Sequence, residues 1–143
     1  MSAGYSQRSL AQKLGIKAGW TIAVLNAPEN YLELLAGLPD GVTICSELGC
    51  SELSSDLPLI HFFCTKQKEL EASFPAMRAA LLQNGMVWIS WPKKSAKVPT
   101  DLDENIIRNL GLASGLVDVK VAAVDAVWSG LKFVIRVKDR KSV

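Results

Sequence analysis

The stretch 86–137 constrains the fold more than any other part of this 143-residue chain. It opens with an apolar run, Met86-Val87-Trp88-Ile89-Ser90-Trp91, and a lysine-rich loop follows over 92–100. Thr100 then caps a helix with Asp101, Asp103 and Glu104 in its first turn, which suits the positive end of the helix dipole. Leu102, Ile106 and Leu110 form the buried stripe of that helix, and Gly111 ends it. The closing segment alternates instead, with Leu131, Phe133, Ile135 and Val137 on one face and Lys132 and Arg136 on the other. Such a strand is wet on one side. Joined to 119–127 through Trp128-Ser129-Gly130, it predicts an antiparallel edge hairpin. The run at 86–91, apolar in both directions, predicts a strand covered on both faces, as parallel strands are.

Upstream, the same kind of run recurs at Gly19-Trp20-Thr21-Ile22-Ala23-Val24-Leu25-Asn26 and at Leu59-Ile60-His61-Phe62-Phe63-Cys64. A shorter one, Val42-Thr43-Ile44-Cys45, follows the Asp40-Gly41 turn, and the polar, serine-rich 48–58 reads as a loop. Between the runs lie helical patterns. Ser6 or Ser9 caps a short helix with Leu10 and Leu14 inward and Gly15 at its end. A second helix surrounds Tyr31, Leu34, Leu35 and Leu38. A third, capped by Thr65, places Leu70, Phe74, Met77 and Leu81 at spacings of four, three and four; Pro75 predicts a kink or restart there, with Ser73 capping the second half. The element order is α-β-α-β-β-α-β-α-β-β. It predicts one three-layer α/β domain over residues 1–143, a Rossmann-like, mostly parallel sheet ending in an antiparallel edge hairpin, with 1–8 and 138–143 as loose ends.

Composition narrows the function classes. A formal charge of +2 argues against nucleic acid as a partner. Basic residues do cluster, at Lys93, Lys94 and Lys97 and in the tail Arg136, Lys138, Arg140 and Lys141, where a solvated end is the ordinary reading. No apolar run is long enough for a membrane span and no hydrophobic signal core opens the chain, so a cytoplasmic location is expected, with no membrane partner. Three cysteines, Cys45, Cys50 and Cys64, fit free thiols. Their spacing with His61 matches no zinc pattern, so no metal is expected.

Motifs for familiar chemistry are missing: there is no Gly-x-Gly-x-x-Gly, no phosphate loop and no nucleophile elbow. The lone histidine, His61, reads as a satisfied core residue. Cys64, three positions away on a strand, points to the opposite face, so no catalytic residue is nominated. The candidate ligand site is the loop after the 86–91 strand, because open α/β sheets keep ligands at strand exits. There Lys93, Lys94 and Lys97 converge with the free amides of a helix start, Trp91 offers a flat ring, and Asn26 and Asn30 add hydrogen bonds from the first strand's exit. Asp101, Asp103 and Glu104 compete with an anion for those amides, and a merely solubilising loop is the competing reading. Trp128, at the hairpin, either covers the sheet edge or anchors an interface together with Leu131.

The favoured function is a non-catalytic module that binds an anionic or nucleotide-like small molecule at the strand exits, with the cofactor, if any, unknown. The second is a protein-interaction module, or a homo-oligomer formed through the terminal hairpin.

Several words of the sequence are similar to those of known families. Gly4-Tyr5-Ser6, Leu14-Gly15-Ile16-Lys17-Ala18-Gly19, Leu25-Asn26-Ala27-Pro28, Ser90-Trp91-Pro92-Lys93-Lys94, Gly115-Leu116-Val117-Asp118-Val119-Lys120 and Val127-Trp128-Ser129-Gly130-Leu131 resemble a family of small bacterial proteins catalogued as domain of unknown function 3052. That resemblance implies a bacterial single-domain protein and adds no catalytic residue. A looser one runs to S-adenosylmethionine-dependent methyltransferases, through Leu14-Gly15-Ile16-Lys17-Ala18-Gly19 ahead of the first buried strand and through the terminal antiparallel hairpin. Those enzymes follow strand one with a glycine-rich turn, where this chain has Asn26-Ala27-Pro28-Glu29-Asn30, whose proline lacks an amide and whose side chains obstruct backbone approach. Glu47 stands where the resemblance puts an acid for a ribose. It implies a shared fold with the cofactor site altered or lost, and hence a third function, a degenerate methyltransferase-like enzyme.

Overall fold

The computed structural model describes residues 9–45 and 55–141. Six strands form one sheet: β1 (Thr21–Leu25), β2 (Thr43–Cys45), β3 (Leu57–Phe63), β4 (Leu81–Pro92), β5 (Leu116–Ala123) and β6 (Trp128–Ile135). Their order across the sheet is β2-β1-β3-β4-β6-β5. The first four run parallel, with Ile22 beside Ile44 and Leu59 and with His61 beside Trp88. β6 then runs antiparallel to β4, and β5 to β6, giving the mixed α/β sheet with an antiparallel edge.

Helices α1 (Leu10–Leu14), α2 (Tyr31–Leu34), α3 (Gln67–Ala80) and α4 (Glu104–Ala113) cover the two faces. Strand alternation sorts the core. Ala23, Leu25, Ile60, Phe62, Val87 and Ile89 meet α3 and α4, while Ile22, Val24, Leu59, Phe63 and Trp88 meet α1 and α2. Both faces of the central strands are therefore apolar, which is why their sequences read as continuous runs. Trp88 and Trp91, three apart, enter opposite cores, and the Trp88 indole donates to the Leu14 carbonyl at 3.1 Å, fastening α1 to the sheet. Among the described residues no helix is long and apolar enough to cross a membrane.

Several boundaries differ from expectation, for physical reasons. Ser9 closes a capping box on α1 with Gln12, and Gly15 ends it at φ 85°; the alternative cap, Ser6, lies outside the described residues, as does most of the loop 48–58 with Cys50. α3 runs through Pro75 without a restart, and Ser73 is buried rather than capping. Pro75 is exposed, so its missing amide bond falls on the water side. Neither Thr65 nor Thr100 caps its helix. Asp103 caps α4, accepting from the Ile106 amide at 2.8 Å, and α3 is capped from a distance, by Asp101 accepting from the Gln67 amide at 2.8 Å. Gly111 does not end α4 but sits buried inside it, where a Cβ would lie 2.1 Å from Phe133.

The hairpin turn is not Trp-Ser-Gly. The chain reverses before it, where Asp125 accepts from the amides of Val127 and Trp128, both at 2.8 Å, so Trp128, Ser129 and Gly130 already belong to β6. β6 ends at Ile135, leaving Val137 exposed in a short 3-10 turn.

Candidate functional site

The carboxyl ends of β1, β3 and β4 open on one edge of the sheet, and β6 begins there. Because β2 and β3 lie on opposite sides of β1, the order reverses between β1 and β3, the place where open α/β sheets form a ligand crevice. At its mouth Asn26 holds the left-handed conformation, φ 58°, one of the few such positions filled by a residue other than glycine. Asparagine tolerates this conformation better than most residues. Its amide donates to the Phe63 carbonyl and to Glu69 Oε2, both at 3.3 Å, so the side chain is drawn toward β3 and α3. Ala27 and Pro28 follow, and the Tyr31 amide closes the turn on the Pro28 carbonyl at 3.0 Å. Asn30 is exposed at the start of α2 and makes no side-chain cap.

A fully buried polar chain joins α2 to β3 and β4. Tyr31 Oη and His61 Nδ1 are 2.8 Å apart, and His61 Nε2 and Ser90 Oγ are 2.7 Å apart. Phe63 stacks on the imidazole at 4.3 Å. Burial lowers the His61 pKa to about 3, so the ring is neutral, with both nitrogens partnered. Burial likewise pushes the Cys64 thiol up to about 11, and its sulfur donates to the Lys66 carbonyl at 3.1 Å; a thiol held protonated in this way is a poor nucleophile. None of these groups is open to a substrate.

A second feature opens past β4. A cleft of about 380 Å³ is lined by Trp91, Pro92, Lys93, Lys94, Thr100 and Leu102, with Ser129 from β6 and the start of α4 opposite. The Lys93 amide donates to the Val127 carbonyl at 2.7 Å, fixing the loop to the hairpin turn. On the other side Thr100 Oγ1 donates to the Thr65 carbonyl at 2.7 Å, tying the loop to the end of β3. The acids near this cleft are already engaged: Asp101 and Asp103 by the helix amides above, Glu104 by Arg108, which also reaches Asp118 at 2.9 Å. Among the described residues neither Lys93 nor Lys94 forms an ion pair.

The sequence-derived site is thus divided. Trp91, Lys93 and Lys94 share the β4 cleft, whereas Asn26 and Asn30 stand at the β1 exit, two strand spacings or roughly 10 Å away. Lys97 ends a 3-10 turn at φ 56° and does not line the cleft. Leu131 is corrected outright as an interface residue: it is fully buried, facing α3 and α4. Trp128 packs edge-on against Phe63, ring centres 5.0 Å apart, and covers the α1–α2 face. Thr100 and Ser129 were read as a cap and a turn residue. Only the antiparallel register, which sets Ser129 opposite Trp91, brings the serine into the cleft. Glu47 lies outside the described residues.

No protein-family model matches the sequence, so the likeness to domain of unknown function 3052 gains no support, and no curated relative matches it. Solved structures do. A SAM-dependent methyltransferase from Aquifex aeolicus superposes with a TM-score of 0.67 at 12% identity, over 87% of this chain and 86% of its own. A TehB-like SAM-dependent methyltransferase from Corynebacterium glutamicum gives 0.60 at 11% identity, over 94% and 91%. Magnesium protoporphyrin IX methyltransferase from Synechocystis, with bound SAH, gives 0.58 at 10% identity, over 88% and 78%. At such identities the likeness is one of fold. It nonetheless overturns the favoured expectation, a non-catalytic binding module.

Proposed function

We propose that this chain is an S-adenosylmethionine-dependent methyltransferase acting on a small molecule, with the cofactor seated in the crevice between the exits of β1 and β3. The observation that carries this reading is Asn26. A glycine-rich turn lets the backbone bend through positive φ, and here Asn26 makes that bend at φ 58°. Pro28 does remove one amide, which would matter for a pyrophosphate held by backbone N–H groups. S-adenosylmethionine carries no phosphate, so the deficit weighs against dinucleotides and not against it. Within the crevice the polar groups available to an amino-acid moiety and a ribose are the Asn26 amide, the Glu69 carboxylate and the exposed Asn30. When bound, the cofactor supplies a methyl group whose bonding pair stays on sulfur, so S-adenosylhomocysteine is the second product.

The test is a thermal-shift and calorimetric titration with S-adenosylhomocysteine, with nicotinamide adenine dinucleotide as the contrast. A ligand that binds only the folded state at ~100 times its Kd adds about 2.7 kcal/mol, a rise of several degrees in Tm for a chain of this size. S-adenosylhomocysteine should produce that rise and the dinucleotide none. No binding of S-adenosylhomocysteine up to millimolar concentration would defeat the reading.

A further inference from the structure

The segment that leaves β1 is a weak element by itself. α2 is a single turn of four residues, and Asn30 gives it no side-chain cap; a helix that short does not hold its own shape in water. At the other end Asn26 is held in the left-handed region, φ 58°. What fastens this segment is Tyr31. Its amide closes the turn on the Pro28 carbonyl at 3.0 Å, and its buried ring stands edge-on to Phe63 at 5.4 Å. Its hydroxyl meets His61 Nδ1 at 2.8 Å, and His61 Nε2 meets Ser90 Oγ at 2.7 Å. One side chain therefore ties the last backbone bond of the turn to β3 and, through the imidazole, to β4. His61 and Ser90 are fully buried, so neither touches a ligand. Moving α2 away would strand buried polar atoms without partners, which penalises every other position of the turn.

We propose that the Tyr31-His61-Ser90 chain holds residues 26–35 in the conformation that binds the cofactor, which makes Tyr31 a positioning residue for the crevice between β1 and β3. The hydroxyl acts without touching the ligand. A turn that is closed only part of the time lowers the apparent affinity by the closed fraction. The loss falls on the on-rate, because the bound state is closed in either case. The link to a cofactor rests on the reading above; the fastening of the turn does not.

The experiment compares the full-length parent with Tyr31→Phe, Ser90→Ala and a stability control, Phe74→Leu, whose side chain packs in the core on the α3–α4 side. Hydrogen exchange by NMR reads the Tyr31, Leu34 and Leu35 amides, which donate to the carbonyls of Pro28, Asn30 and Tyr31. Surface plasmon resonance, well below each Tm, reads the on- and off-rates of S-adenosylhomocysteine. Tyr31→Phe should speed exchange at the three amides about tenfold and lower the on-rate about fivefold, with the off-rate unchanged. Ser90→Ala should act in the same direction and less strongly, and the double variant should change less than the two effects combined. Phe74→Leu should lower Tm and leave both readouts at parent values. If Tyr31→Phe does not fold, Ser90→Ala carries the same two readouts. Exchange at the three amides no faster than in Phe74→Leu would overturn the proposal, and so would faster exchange with an unchanged on-rate. If the parent binds no S-adenosylhomocysteine, the cofactor reading falls and takes the positioning role with it, while exchange still decides whether the chain fastens the turn.

Discussion

Two residues show how much local chemistry depends on partners far along the chain. Asn26 sits at φ 58°, where a β-branched side chain is strained and glycine is free. Asn26→Gly keeps the bend and loses only one exposed amide, so its stability should lie within about 1 kcal/mol of the parent. Asn26→Val should lose about 2 kcal/mol and, on the reading above, S-adenosylhomocysteine binding as well; urea unfolding and calorimetry measure the two effects. His61 makes a pH prediction. Its folded pKa is lowered to about 3 by burial, against 6.5 in the unfolded chain. Above pH 6.5 both states are neutral there and the stability is complete. Below it only the unfolded chain takes the proton, so stability drains as pH falls from 6.5 toward 3, at up to about 1.4 kcal/mol per pH unit. Between pH 7.5 and 5.0 the parent should therefore lose about 2 kcal/mol more than His61→Gln, measured by urea unfolding at each pH. Equal losses would mean that the imidazole is charged or wet. That His61 is a core residue was legible from its apolar flanks. Its partners Tyr31 and Ser90 were not, being 30 and 29 residues distant and joined only through strand register.

Helices and turns were legible as elements and less so at their ends. A cap is a hydrogen bond to whatever oxygen is nearest, and proximity is set by the fold. Thr65 stands two residues ahead of α3, with Lys66 at the cap position, and the oxygen on the Gln67 amide belongs to Asp101, from the loop before α4. Asp101→Ala should cost about 1 kcal/mol and speed hydrogen exchange at the Gln67 and Lys68 amides. Gly111 is the clearer case. Glycine to alanine inside a helix ordinarily gains about 1 kcal/mol. Here the new Cβ would stand 2.1 Å from Phe133 Cε1, and Phe133 is fully buried and packed edge-on against Phe74. Overpacking of this kind costs about 1–3 kcal/mol and decides the sign. Gly111→Ala should lower Tm, and adding Phe133→Leu should recover part of the loss. The sequence suggested a helix stop because glycine favours ends; the packing of α4 on β6 explains it instead as a place where only glycine fits.

At the scale of the whole molecule, the sheet order predicts where stability concentrates. β1, β3 and β4 are flanked on both sides and covered on both faces, while β2 and β5 form the edges. Native-state hydrogen exchange should be slowest in β1, β3 and β4 and fastest in β2 and in β5 near the register shift at 118–120. Slow exchange in β5 would show that its exposed Val119 and Val121 are covered by something beyond this chain. The sequence by itself determined the element types and the parallel core with its antiparallel end. Those follow from apolar periodicity, which each segment carries in its own residues. Only the tertiary structure decided that the nominated ligand residues stand in two places, that the acids beside the lysines hold helix amides and an arginine, that Leu131 is core, and that Asn26 takes a left-handed bend. Such facts depend on strand register and on which side chains meet across the sheet, and local spacing along the chain does not encode either.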